Sequence, residues 1–198
     1  QPLQAYGKNN PTGNSSHALA SKGQPFKNEY TMSAQQRLLS RYTRDLKPGS
    51  LSWIGLRPGR KQDLIEVTEA MALQELGLVG DHRCDKTPGS ARQVTLISEE
   101  YIQQTAHFLG VDNIKPNLLR RNLVVKNINL SALRHQKFSI GEAIFEATAI
   151  CHPCTRMETA LGKGAVAAML GHGGLCAKIL KTGSIKVGDT VELIVQER

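Results

Sequence analysis

The sequence predicts a mainly β fold, a barrel or a sandwich. Short runs in which apolar residues alternate with polar ones recur along the chain, each bounded by a turn signal. Glycine is frequent, at 18 of 198 residues, and aromatic residues make up only 5%, which suits many strands and tight turns better than a helical bundle. Neither an internal repeat nor a clean strand–helix–strand alternation is visible. The length is enough for one domain with a sizeable core plus a tail.

Residues 1–31 are rich in Gln, Asn, Ser, Gly and Pro and nearly free of aliphatic side chains, so they read as a disordered leader, vector-derived or left by processing. Residues 32–48 form an extension in which Ser33 caps a short helix to Tyr42, anchored by Leu38 and Leu39. The barrel domain is expected over 49–198. Within it, 51–56 is a strand, 57–60 a turn and 63–67 the returning strand of a hairpin. Gly77 and Gly80 allow a close backbone approach, and Asp81, His82, Arg83 and Cys84 follow on one polar loop. Residues 92–97 form a short buried strand. Ser98 then caps a helix through about Leu109, with Tyr101, Ile102, Thr105 and Phe108 on one face and Gly110 as its stop. Arg120, Arg121 and Asn122 enter the strand 123–125, where alternation lets only one of the two guanidiniums face a given site. Residues 138–141 turn into a long strand, 143–150. A short helix is expected over 162–170, and strands over 175–180 and 190–195.

A net charge of +8 raises the question of nucleic acid, but Lys and Arg are scattered and aromatics are sparse, so no stacking platform is visible. Anionic small molecules fit the charge better. No apolar run approaches the ~20 residues of a membrane span. Four cysteines with no secretory apolar stretch ahead of them point to reduced thiols in the cytoplasm.

The chemistry concentrates in Cys151-His152-Pro153-Cys154-Thr155-Arg156-Met157-Glu158, directly after the long strand. Pro153 removes a backbone donor and holds His152 extended, so the chain leaves the sheet here and Cys154 falls on an exposed turn. The residues leave several readings open: thiols that only fill space, a dithiol redox pair, or a zinc site completed by His82 and Cys84. Arg156 either pairs with Glu158 at the surface or lowers the thiol pKa of Cys154.

Six stretches in this order resemble the MOSC domain, the module at the C-terminal end of molybdenum-cofactor sulfurases, in its bacterial stand-alone form. They are Gly80-Asp81-His82-Arg83, residues 93–97, residues 120–125, residues 153–157, Gly171-His172-Gly173-Gly174 and Gly188-Asp189. The resemblance implies a closed β-barrel with a few short helices and the molybdenum cofactor, molybdopterin, as ligand; pyridoxal phosphate binding is also associated with the family. It implies that Cys154 ligates the metal, with Arg120, Arg121 and Asn122 at the phosphate or pterin, Arg83 nearby, and Arg156 and His172 as further anion contacts. His172 stands where an arginine is usual, His82 and Arg83 reverse the usual order, and Cys151 is an extra thiol. The implied activity is reduction of N-hydroxylated small molecules with electrons from an external reductase; the alternative is a persulfide carrier without turnover. Without the partner domain found in the amidoxime reducing component, cofactor grip comes from this domain alone or from an oligomer such as a homodimer.

Overall fold

The computed structural model describes Ala34, Leu38 and residues 41–195; the expected leader and most of the expected first helix lie outside the described residues. In chain order the elements are β1 (Gly49–Leu56), β2 (Ile65–Val67), β3 (Glu69–Leu73), β4 (Gly77–Leu78), β5 (Val94–Ser98), α1 (Glu99–Leu109) and β6 (Leu123–Lys126). They continue with β7 (Lys137–Ile140), β8 (Ala143–Ile150), α2 (Thr155–Leu161), α3 (Ala165–Ala168), β9 (Leu175–Lys181), β10 (Gly183–Lys186) and β11 (Thr190–Leu193). Seven strands, ordered β1-β11-β7-β8-β9-β5-β6 and returning to β1, close the expected barrel. β2 adds to the far end of β1, and β10-β3-β4 form a separate small sheet.

Every pairing in the barrel is antiparallel except β5 with β6. That pair is joined through α1, so the chain does contain one strand–helix–strand crossover that the pattern had not revealed. The Ser98 side chain accepts from the Tyr101 amide and Gly110 takes the left-handed conformation, so both expected caps hold α1. Its buried face is Ile102, Thr105 and Ala106; Phe108, expected on that face, is 57% exposed.

Because a strand sends successive side chains to opposite faces, β5 and β6 feed two cores. Leu96, Leu123 and Val125 fill the barrel interior with Phe138, Phe145 and Ile179. Ile97 and Val124 point outward into a second cluster with Trp53, Ile102, Leu119 and Met157. This outer layer fixes the site, since Leu119 and Met157 are buried in it while the neighbouring Arg120 and Arg156 emerge from it.

Three expectations change. A helix was expected over 162–170, but α2 opens immediately after Cys154 and only Ala165–Ala168 of the later stretch is helical. Arg120 and Arg121 precede β6 and do not belong to it: a 3-10 turn, Pro116–Leu119, ends with Arg120 left-handed at φ 57. β3, whose Glu69-Ala70-Met71-Ala72-Leu73 run carries little strand signal, was not expected. Among the described residues no helix is long and apolar enough to cross a membrane.

Candidate functional site

Three loops meet around the Asp81 carboxylate. It is 5% exposed and accepts from the backbone amides of Arg57 (3.0 Å) and Arg83 (2.9 Å) and from the Asn122 side-chain amide (2.8 Å). Asn122 also donates to the Gly55 carbonyl and accepts from the Thr95 hydroxyl and amide. With its polar atoms turned inward, Asn122 locks the β1–β2 connection, the Asp81 loop and the entry to β6 together.

That clamp presents cations. Arg57, Arg60, Lys61, Lys86, Arg120 and Arg156, with His82, line a cleft of about 250 Å³. Among the described residues no ion pair neutralises any of the six arginines and lysines. Burial and the adjacent Arg120 guanidinium pull the Arg57 pKa down, and its Nε is buried without an acceptor. A buried donor left unpaired costs about 1–3 kcal/mol, so the Arg57 Nε calls for an anion. Arg57, Arg120 and Arg156 also line an adjoining compartment of about 330 Å³, completed by Gln62, Asp63, Leu64, Asn117, Leu118, Thr159 and Ala160.

The two guanidiniums of the expected pair do separate. The left-handed backbone of Arg120 turns its side chain to the clefts, while Arg121 is 4% exposed and points inward. Arg121 Nε donates to the Gly173 carbonyl (2.7 Å), Nη1 to Leu119 (3.0 Å) and Nη2 to Cys151 (3.2 Å). Expected at the phosphate or pterin, it instead pins the cysteine turn against the Gly171–Gly174 loop. Two of its three glycines are needed for space: a side chain on Gly173 would strike the Cys151 carbonyl, and one on Gly174, at φ 94, would strike the Leu96 carbonyl.

Cys154 is exposed and stands as the residue capping α2, two positions before Arg156. Glu158 does not pair with Arg156, because its carboxylate accepts the amides of Gly164 and Val166 at 2.8 Å each and so caps α3. Arg156 is left free for the cleft. His172 does not line the cation clefts; its ring meets Tyr101 edge-on at 5.1 Å between centroids, and its Nδ1 lies 3.1 Å from the Leu170 carbonyl. Arg83 does not line them either, and its side chain packs beside Gly77. The zinc reading is set aside: among the described residues no cluster of three or more His, Cys, Asp or Glu can hold a metal ion, and Cys84 donates to the Leu78 carbonyl.

Sequence reasoning missed Arg57, Arg60, Lys61 and Lys86. The signal was present in Arg57-Pro58-Gly59-Arg60-Lys61, three cations at one hairpin tip with no acid among them. It also missed Arg92, whose Nη2 donates to the Cys151 sulfur at 3.2 Å.

A family model, that of the MOSC domain, matches residues 83–192. The chain belongs to the MOSC domain family. No curated protein sequence matches it. Solved structures share this MOSC fold: the YuaD protein of Bacillus subtilis is 17% identical with a TM-score of 0.64, covering 75% of this chain and 96% of that one. YiiM from Escherichia coli is 20% identical with a TM-score of 0.59, covering 76% of this chain and 71% of that one. YiiM from Geobacillus stearothermophilus is 13% identical with a TM-score of 0.61, covering 74% and 75%. In this MOSC domain the β1–β2 connection, the Asp81 loop, the end of the 3-10 turn and α2 each contribute cations to the clefts.

Proposed function

We propose that this MOSC protein binds the molybdenum cofactor and reduces N-hydroxylated small molecules, hydroxylamino bases among them, in the cytoplasm with electrons from a separate reductase. The observation that carries the reading is Arg57, whose buried Nε lacks an acceptor at the junction of two compartments that Arg120 and Arg156 also line. The cationic compartment suits a terminal phosphate, because guanidinium forks bind phosphate bidentately. The adjoining one sets Leu64 and Leu118 beside Gln62, Asp63 and Asn117, the mixture of apolar walls and convergent polar groups that a flat pterin ring requires. Arg57, Arg120 and Arg156 would hold the phosphate, with His82 and Lys86 at its edge. Asn122 and Arg121 act through position, the first by clamping the loops and the second by fixing the cysteine turn. Cys154 offers an exposed soft thiol suited to ligating the metal. When bound, the cofactor would supply the redox centre at which the N–O bond is reduced.

An exposed thiol also suits the second reading, persulfide transfer without turnover. The test is elemental analysis for molybdenum on protein made in a cofactor-competent host, beside reduction of an N-hydroxylated base analogue by an artificial electron donor. Molybdenum and activity are expected in the unaltered protein and in Cys151→Ser, with activity lost in Cys154→Ser and cofactor lost in Arg57→Ala. Protein free of molybdenum but carrying a persulfide on Cys154 would replace the enzyme with the carrier.

A further inference from the structure

Cys154 is not the only thiol at this end of the barrel. Cys151 lies just beyond β8, 1% exposed, with its amide bonded to the Gly174 carbonyl at 2.8 Å. Cys176 lies in β9, 5% exposed and opposite Ala149, where β8 shifts register. The β8–β9 pairing sets Cys176 beside Cys151, and the Cys151 sulfur receives Arg92 Nη2 at 3.2 Å. The Arg121 guanidinium stands close enough to act on both sulfurs. A guanidinium donating to the sulfur, a second held at the carbonyl of the same residue and a neighbouring thiol form the setting of a nucleophilic thiolate with its resolving partner beside it. The Cys176 hydrogen bond and the guanidiniums accordingly hold Cys151 at a pKa of about 6, while the same bond and burial push Cys176 up.

We propose that Cys151 and Cys176 form a reversible, peroxide-sensitive dithiol, a modification site distinct from Cys154 and independent of any metal that Cys154 ligates. The Cys151 thiolate attacks one oxygen of hydrogen peroxide; the O–O bond breaks, hydroxide leaves and takes up a proton, and Cys151 becomes a sulfenic acid. The Cys176 sulfur then attacks the Cys151 sulfur, the S–OH bond breaks, and the Cys176 proton leaves with the hydroxyl as water. Two thiols and one peroxide give one disulfide and two waters. Forming the disulfide brings the two sulfurs to about 2.0 Å.

The test is peptide mapping of the full chain after one equivalent of hydrogen peroxide near neutral pH, with free thiols alkylated and no reductant. The expected product has lost the mass of two hydrogens and joins the peptide holding Cys151 to the one holding Cys176, in the unaltered protein and in Cys154→Ser alike. A thiol reductant reverses it, and Arg92→Ala, which removes the cation on the sulfur, slows it severalfold. A link confined to Cys151 and Cys154, loss of the Cys176 link in Cys154→Ser, or oxidation of Cys154 with Cys151 and Cys176 both still alkylatable would each overturn the proposal.

Discussion

The Asn122 side-chain amide donates to the Asp81 carboxylate across 2.8 Å, joining the entry of β6 to the loop that carries His82 and Arg83. Removing the Asn122 side chain takes one donor from the buried Asp81 carboxylate, which keeps the Arg57 and Arg83 amides, and deprives the Thr95 hydroxyl and amide of their shared acceptor. Asn122→Ala is therefore expected to lower stability by about 1–3 kcal/mol, the range for a buried polar group losing its partner. Urea unfolding measures it, and an unchanged midpoint would show that the three loops hold together without this clamp.

Arg120 and Arg121 should part company on substitution. Arg121→Ala strips three carbonyls of a charged donor and is expected to cost about 3 kcal/mol or more, with Arg121→Lys recovering only part because one ammonium cannot span the three acceptors. Arg120→Ala should leave stability within about 0.5 kcal/mol, the usual range for a surface change, and weaken binding of inorganic phosphate. Chemical denaturation and phosphate titration together separate the roles; equal effects on both measurements would refute the division.

The buried thiol pair makes stability depend on pH with a definite sign. Cys151 titrates at about 6 in the folded protein, below its value in the unfolded chain, so its contribution is complete above the unfolded pKa and is lost as pH falls through 6. Cys176 is shifted the other way, so above the ordinary thiol value of 9.0 the unfolded chain sheds a proton that the native state keeps, and stability declines again. Tm is expected to rise from pH 6 toward 9 and then fall. The rise should be absent in Cys151→Ala whatever that variant's baseline, and parallel Tm curves for the two proteins would contradict the assignment.

Much of the barrel was legible because β5, β6, β8 and β9 are written as dense apolar or β-branched runs, and α1 because Ser98 and Gly110 mark its ends. The helix after Cys154 was not, since Thr155–Leu161 buries only Met157 and so shows no repeating apolar stripe. The site was legible in part. Arg120 and Arg156 could be named from sequence, but no local pattern shows that Arg121 and Asn122 turn inward, which depends on a left-handed residue at 120 and on carbonyls from distant loops. The cations at the β1–β2 tip join the site through the Asp81 clamp and the bond from Arg57 to the Arg120 carbonyl, contacts between loops that sequence spacing does not encode.

The barrel closes where β1 meets β11, with Gly49 opposite Val191 and Ser50 opposite Thr190. During synthesis β1 leaves the ribosome long before its partner: at roughly 5–20 residues per second, the wait is on the order of ten seconds. Throughout it Leu51 and Ile54, which end up inside the finished barrel, have no completed core to enter. The β7–β8 pairing, being local, can form as soon as its residues emerge, whereas the seam is among the least local contacts in the chain and must come late. The nascent chain therefore carries an open strand edge on β1 until β11 has emerged to seal it.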